Sequence, residues 1–570
     1  MKINILLPII RKLYILLSAK HRFYWGLLII LTIGFSLVET LGISAIMPFI
    51  SIASNPDLLD TGMYKKAFDI IGISQKETFI VYFGIAIIIF YIFRAIYSLT
   101  HTWLINRFSA AINKYFSHRL FSNILSIPYR LYVQKNSGEF MGIINGESRN
   151  VSSLAVNILQ LYTELFTIIL VYILMLIINF RMTLVLTAIL GVLSFIFIYV
   201  LITKNKSLGK KRAESSMKTF RILMEAFGNY KFVRLKGNKN ELITNFNNSM
   251  HESTRTQVVS NSLSIMPKSI LESLGFSLLI TVVIYVLVKY NDASMIIPII
   301  SMYALALYRI LPSVHRLLGN INNIAFMQHS LDLIDDAIHW PTEKEGDEQI
   351  LFNDTIILKN ISFKYATGNE VINEASFIIT KGEKIAVTGE SGSGKTTLID
   401  LIIGIHKPTS GEIIIDNKPL NDENVRCWRK KIGYIPQNVY LFDGTVAENV
   451  VCGSEVNNEK LEIALKKANI WDFLLTKDGF HTKVGEGGIQ LSGGQQQRIG
   501  IARAMYDDPE VLVLDEATSS LDNETEAKIM DEIYYASKSK TLIIIAHRLS
   551  TVERCERKIH IENGKISKDI

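Results

Sequence analysis

Six apolar runs, each about as long as a bilayer is thick, crowd the first 315 residues of this 570-residue chain. They lie near 24–52, 78–100, 155–179, 182–203, 269–289 and 294–315. A helix needs about 20 predominantly apolar residues to cross the hydrocarbon core, so these runs read as six membrane spans. The third and fourth are joined by "NFRM" and the fifth and sixth by "KYNDAS", both short enough for tight hairpins. The connections 105–150 and 204–266 are long, polar and helical in pattern, so the spans are expected to continue beyond the lipid. Those two connections carry roughly 18 lysines and arginines against about 5 in the three short-side loops, which places the long side in the cytoplasm.

Beyond residue 350 the apolar runs shorten and the chain reads as a soluble α/β domain. Length alone asks for at least two domains. The mean hydropathy of +0.26 fits a chain that is half membrane and half soluble. A net charge of +7 is modest and is explained by basic cytoplasmic loops, so no nucleic-acid partner is implied. Cys427, Cys452 and Cys555 all fall in the soluble half without metal spacing or a disulfide framework. The opening "MKINILLPIIRKLYILLSAKHRFYWG" lacks a small-residue cleavage site and reads as an interfacial amphipathic helix rather than a signal peptide. In "DTGMYKKAFDIIG", Met63, Tyr64, Ala67, Phe68 and Ile71 share one helix face and Lys65, Lys66 and Asp69 the other. Such a helix lies on the outer lipid surface or packs on its own protein.

Charged residues inside or beside the spans are Glu39, Arg94, Glu164, Lys268, Glu272, Arg309 and Arg316. Ionisable groups are costly in hydrocarbon, so they face partners or a water-filled cavity. Arg309 and Arg316 are seven apart, which sets them on one helix face about 10 Å from each other. Three readings stand: internal ion pairs, for example Arg94 with Glu39 or Glu164; snorkelling of Arg316 and Lys268 to the cytosolic interface; or a basic belt of Arg94, Lys268, Arg309 and Arg316 that takes a phosphate-bearing group.

The soluble half carries its own chemistry. "KIAVTGESGSGKTTLIDLIIG" is a strand, a glycine-rich loop and a helix. Its Gly389-x4-Gly394-Lys395-Thr396 pattern lets backbone N–H groups close around a β-phosphate, with Lys395 on the β/γ oxygens and the Thr396 hydroxyl on Mg²⁺. "VLVLDEATSSLD" is a buried strand ending in Asp515, suited to Mg²⁺, and Glu516, suited to polarise an attacking water. "LSGGQQQR" is a turn opening a helix, where Ser492 and the helix N-terminus can meet a γ-phosphate.

The ordered set GESGSGKT, IPQNVYLFDGTVAEN, LSGGQ, LVLDEATSSLD and IIIAHRLS resembles the ATP-binding cassette of ABC transporters. With six spans before it, the chain resembles an exporter-type half-transporter over nearly its whole length. The fold so implied is a membrane α-helical bundle of six spans fused to a cytosolic α/β phosphate-loop cassette. Domain limits are expected at 1–325 for the membrane domain, 326–350 for a linker and 351–570 for the cassette. The resemblance implies that Tyr365 stacks on adenine and that Gly389, Ser391, Gly392, Ser393, Gly394, Lys395, Thr396 and Thr397 hold ATP. It implies Mg²⁺ held through Thr396, Gln437 and Asp515, and Glu516, His547 and Gln437 as catalytic residues. Ser492, Gly493, Gly494 and Gln495 would complete the site of a second chain and Asp522 would lie at the seam, which implies a homodimer. The segment "TKVGEGG" matches an exporter-specific stretch, with EGG where ERG is usual.

Span texture, in "SLVETLGISAIMPFISIAS", "VYFGIAIIIFYIFRAIYS" and "LALYRILPSVHR", resembles the branch that flips lipid-linked oligosaccharides for bacterial protein N-glycosylation, or O-antigen precursors. That resemblance implies the bacterial inner membrane, membrane lipids as surroundings and a polyprenyl-pyrophosphate oligosaccharide as substrate. Export of lipid A, a drug or a peptide is the alternative, and an ABC-type channel regulator is the alternative of a different class. A soluble ATPase acting on DNA or ribosomes is excluded by the six spans.

Overall fold

The computed structural model describes residues 6–60, 62–72, 75–178, 180–290, 297–365, 368, 370–515, 523–537, 539–545 and 552–569. Some helical side chains, including 301–309, also fall outside the description. The chain divides into two compact units, Met1–Leu125 with Lys135–Trp340, and Ser126–Gln134 with Pro341–Ile570.

The first unit is helical throughout. Its elements are α1 (Leu6–Leu16), α2 (Ala19–Ser54), α3 (Gly62–Ile71), α4 (Lys76–Leu125), then, after the short α5 (Tyr129–Tyr132) of the second unit, α6 (Ser137–Met141), α7 (Ser148–Ile178), α8 (Phe180–Gly228), α9 (Tyr230–Lys236), α10 (Lys239–Tyr290) and α11 (Ile297–Ile338). At 50 residues, α4 is about 75 Å long, more than twice the hydrocarbon thickness. Its sequence shows where lipid ends. Val81, Ile85, Ile88, Ile89, Ile92, Phe93, Ile96 and Leu99 are exposed, as a lipid-facing surface requires. From Ile105 onward the buried apolar residues form one stripe: Ile105, Phe108, Ile112, Phe116, Leu120 and Ile124. Among the described residues, three helical stretches are long and apolar enough to cross a membrane, Ala19–Gly42, Lys76–Leu125 and Ser137–Ile177. The other three expected spans fall on α8, α10 and α11, where many side chains lie outside the description.

Within lipid the helices pack through small polar residues. The Ser36 hydroxyl donates to the carbonyls of Thr32, 3.0 Å, and Thr163, 3.1 Å, tying α2 to α7 without an unpaired polar group. Further along, α8 meets α11 at Gly209, where a Cβ would stand 1.9 Å from the Phe326 carbonyl oxygen, so no other residue fits. Close by, the π-helical turn Gly142–Glu147 brings Glu147 inward, 1 % exposed, onto Arg212 at 2.8 Å. Arg212 also donates to Ser330, so one guanidinium joins α8, α11 and the turn before α7.

Three expectations change. The linker expected from 326 is helix as far as Ile338, because Leu331, Ile334, Ala337 and Ile338 are buried in the bundle core and extend its apolar stripe. Residues 126–134 belong to the second unit although they lie between membrane helices in sequence. The N-terminal helix α1 packs Ile9, Leu13 and Leu16 into the bundle, and Lys12 bridges Asp332 and Asp335 of α11, so that face is not left for lipid. In α3, Tyr64 and Phe68 pack beside Ile52, Leu59 and Phe79, while the side chains of Met63, Ala67 and Ile71 lie outside the description.

The second unit holds two sheets. An antiparallel one has the order β2-β1-β4-β5, from β1 (Thr355–Lys364), β2 (Glu370–Thr380), β4 (Ser410–Ile415) and β5 (Lys418–Pro419). The other has the order β10-β9-β3-β8-β7-β6, from β3 (Lys384–Thr388), β6 (Ile432–Ile435), β7 (Val511–Asp515), β8 (Thr541–Ile545), β9 (Arg557–Glu562) and β10 (Lys565–Asp569). All its strands run parallel except β10 at the edge. Helices α12 (Lys395–Ile402), α13 (Val425–Arg429), α14 (Val446–Val451), α15 (Asn458–Lys467), α16 (Trp471–Leu475), α17 (Gly493–Met505) and α18 (Asn523–Ala536) complete it. The larger sheet is buried on both faces, which is why VLVLD and TLIII are apolar without alternation. Its residues still alternate between two cores. Leu512, Leu514, Leu542 and Ile544 face one that contains α17 residues Ile499 and Ile501. Val511, Val513, Ile543 and Ile545 face the other, with Leu398, Ile399 and Ile402 of α12. Thus α12 and α17 lie on opposite faces of one sheet.

Arg212→Met should lower the unfolding free energy of the detergent-solubilised protein by about 3–5 kcal/mol, because Glu147 is left as a buried unpaired charge. Adding Glu147→Leu should recover most of the loss in thermal unfolding.

Candidate functional site

The loop from Gly389 to Gly394 leaves the carboxyl end of β3 and enters α12. Gly389 and Gly394 have φ of 147° and 105°, and a Cβ at Gly389 would meet the Ile561 carbonyl oxygen at 2.3 Å. The loop path therefore requires glycine at its ends. Lys395 is buried, and its ammonium donates to the carbonyls of Gly389, 2.9 Å, and Glu390, 2.8 Å. The Ser393 hydroxyl is buried and, among the described residues, has no hydrogen-bond partner. Ser391, Gly392 and Thr396 are exposed beside it. A cation resting on loop carbonyls and an unsatisfied hydroxyl at a helix N-terminus fit the phosphates of a nucleotide.

Two strands away in the same sheet, β7 ends at Asp515, so loop and carboxylate share the carboxyl edge. The Tyr434 hydroxyl on β6 donates to Asp515 Oδ2 at 3.1 Å. Burial, then the Asp515 charge, pushes the Tyr434 hydroxyl well above its ordinary range, so it remains a donor. Thr396 and Gln437 are exposed, and like Asp515 each carries a side-chain oxygen, the donor type that Mg²⁺ takes alongside phosphates. Asp400, one turn into α12, is pushed up to about 6, first by burial and then by Asp515.

Tyr365 is half-buried, and its hydroxyl lies 3.2 Å from Thr397 Oγ1. Its ring meets His406 edge-on at 5.5 Å, His406 stacks on Phe363 at 4.7 Å, and Tyr129 of α5 completes the group at 5.5 Å. Burial lowers the His406 pKa and keeps the ring neutral among these aromatics. Sequence reading missed His406, Tyr434 and Asp400, because none stands in a recognised motif. The one sequence sign was that Asp400 interrupts the apolar run Leu398–Ile403.

Ser492 caps α17. Its hydroxyl accepts from the Gln495 N–H at 3.3 Å, and the Gln495 side chain accepts from the Ser492 N–H at 2.9 Å. Ser492 and Gly493 are exposed and Gly494 and Gln495 half-buried, so this helix end is open to a ligand. Because α17 and α12 lie on opposite sheet faces, Ser492 and Lys395 are set on separate parts of the chain. Glu516, Asp522 and His547 lie outside the described residues.

A cavity of about 760 Å³ opens in the first unit, lined by residues of α2, α4, α7, α10 and α11. Arg94 and Arg316 line it, and each is paired: Arg94 with Glu39 at 2.6 Å, Arg316 with Glu164 at 2.5 Å. Of the expected belt, Lys268 is exposed but is not among the lining residues, and the Arg309 side chain lies outside the description. Gln160, Asn106, Asn320, Asn323 and several hydroxyls add polar groups to a wall that also carries Phe35, Ile105 and Ile265.

With that geometry in place, comparisons with known proteins are consistent across the chain. A family described as ABC transporter matches residues 372–519, and one described as ABC transporter transmembrane region matches 23–310. An ATP-dependent lipid A-core flippase of Burkholderia pseudomallei (strain 1710b) is 34% identical over 355 residues, 60% of this chain and 59% of that protein. The match thus spans about three fifths of the first curated relatives. A protein of the same description from Saccharophagus degradans is 28% identical over 507 residues, 87% of this chain and 85% of that protein. Among solved structures, a bacterial Atm1-family ABC exporter with ATP bound matches with a TM-score of 0.77 at 20% identity, over 96% of this chain and 94% of that one. The last likeness speaks for the fold.

The raised Asp400 pKa has a sign that can be measured. The folded cassette holds this proton more tightly than the unfolded chain, so its stabilisation is present below about pH 4 and lost as pH rises through about 6. In nucleotide-free protein, Asp400→Asn should match wild type in chemical denaturation at pH 4 and exceed it by about 1–3 kcal/mol at pH 7.5.

Proposed function

This chain belongs to the ABC transporter family as a multi-pass protein of the bacterial inner membrane with its cassette in the cytosol, and we propose that it is an ATP-driven flippase for a polyprenyl-pyrophosphate-linked oligosaccharide. The head group would move from the cytoplasmic to the outer leaflet and feed protein glycosylation. The observation that carries this reading is the polar cavity with Arg94 and Arg316 in its wall. Guanidinium groups suit phosphate, and the amides and hydroxyls beside them suit a sugar. The relatives named lipid A-core flippases favour a second reading, lipid A, which also joins phosphates, sugars and acyl chains.

ATP would be held by Tyr365 and the loop 389–397, with Thr396, Asp515 and Gln437 toward Mg²⁺. Bound there, Mg²⁺ would neutralise charge on the phosphates. Lys395 orients the phosphates, Tyr434 fixes the Asp515 carboxylate, and Glu516 and His547 are proposed to position and deprotonate water. A homodimer is the proposed working form. The sheet that separates α12 from α17 within one chain supports a working form in which Ser492–Gln495 serve a partner's Lys395.

Two experiments test these readings. In proteoliposomes, ATP should drive loss of labelled polyprenyl-pyrophosphate oligosaccharide from the cassette-outward leaflet, and Glu516→Gln should abolish it. Movement of lipid A alone would favour the second reading. Separately, Lys395→Ala and Ser492→Arg should each lose ATPase activity, while their co-expressed mixture should regain about a quarter of it, since half the dimers carry one intact site. A mixture as inactive as its parents would count against shared sites.

A further inference from the structure

Each cavity arginine is held in the same way. Arg94 donates from Nε to Glu39 Oε2 at 2.7 Å and from Nη2 to Glu39 Oε1 at 2.6 Å. Arg316 donates from Nε to Glu164 Oε1 at 2.5 Å and from Nη2 to Glu164 Oε2 at 3.1 Å, with Nη2 also 3.4 Å from Ser313 Oγ. In both pairs the carboxylate is the deeper partner. The Glu164 side chain is 10 % exposed against 51 % for Arg316, and Glu39 is 15 % exposed against 28 % for Arg94. The pairs join different helices, α2 to α4 and α7 to α11, yet both arginines line one cavity.

A guanidinium has five N–H groups in a fixed fork. Here the carboxylate takes the edge made by Nε and Nη2. Among the described residues, Nη1 of neither arginine makes a hydrogen bond. That leaves the Nη1/Nη2 edge of Arg94, and on Arg316 the same edge once the long contact of Nη2 with Ser313 Oγ is given up; such an edge can receive two phosphate oxygens in the bidentate manner of Arg–phosphate pairs. A phosphate that instead displaced Glu164 would strand a buried carboxylate without its guanidinium beside an anion, the costliest arrangement of a buried pair.

We propose that Glu39 and Glu164 are positioning residues that aim Arg94 and Arg316 at a phosphate-bearing head group, rather than counter-ions the head group must expel. The assignment rests on the flippase reading above and names two side chains that govern its selectivity. Each arginine–carboxylate pair is neutral, so the pairs select for the spacing and shape of phosphate oxygens more than for negative charge at large. Lipids without phosphate leave the presented edges unused.

The test follows ATPase stimulation of the full-length protein in nanodiscs. The probes are polyprenyl-pyrophosphate oligosaccharide, lipid A, and a polyprenyl oligosaccharide lacking phosphate. Glu164→Gln and Glu39→Gln each add positive charge to the cavity, yet each should raise the half-maximal concentration of the phosphate-bearing lipid roughly tenfold, as loss of an orienting partner does elsewhere. The maximal stimulated rate should fall much less. The exchanged pair Glu164→Arg with Arg316→Glu should regain wild-type thermal stability without regaining the half-maximal concentration. Tighter apparent binding in either Gln variant would overturn the assignment and make the carboxylates competitors. Full recovery of binding in the exchanged pair would also overturn it, leaving them a structural role. A wild-type protein unresponsive to both phosphate lipids would instead remove the flippase reading, and this assignment with it.

Discussion

Hydrocarbon offers a backbone no hydrogen-bond partners, and that constraint shapes the first unit at every level. It requires helices, and it requires that any side chain carrying charge into lipid bring a partner. Ser36 meets it by returning its proton to backbone carbonyls, and His101 meets it on Thr32 at 3.0 Å. Arg94 and Arg316 meet it with carboxylates from neighbouring helices. The polar cavity exists because these satisfied groups cluster on the inner faces of the bundle, while isoleucines and phenylalanines cover the outside.

The cassette answers a different constraint. A parallel sheet must be covered on both faces, and covering it splits its helices between two cores. One face carries the helix that starts at the phosphate loop, and the other carries the helix capped by Ser492. Asp515 and Gly389 share the carboxyl edge because β3, β8 and β7 run parallel, with β8 between the other two. What the sheet brings together is therefore the loop and its acidic partner. What it holds apart is the loop and Ser492.

Much of this was legible in the residues. The strand–loop–helix at 384–402, the cap at Ser492 and the continuous apolar run 511–514 are local patterns, and the structure forms each of them. The end of the bundle was less legible, because the stripe of Leu331, Ile334 and Ala337 continues smoothly past residue 325 without a breaker until Pro341. Charge pairing in the membrane was half legible. Arg94 with Glu39 follows from two charges at similar depth, but Arg316 with Glu164 joins residues 152 apart and depends on how α7 and α11 pack. His406 gave no sign at all, since its role comes from the rings of Phe363 and Tyr365 on one segment and Tyr129 on another converging on it.

Gly209 carries one more consequence. Helices separated by interlocking side chains can slide past each other by exchanging one set of rotamers for another. At Gly209 no side chain intervenes, and the α8 backbone rests against the Phe326 carbonyl of α11. Translation by about one turn would bring Asn205 or Ala213, the next residues on the same helix face and each with its Cβ, against that oxygen. The two helices are consequently latched in register and must travel as one rigid lever, so any rearrangement of this bundle has to find its pivot elsewhere.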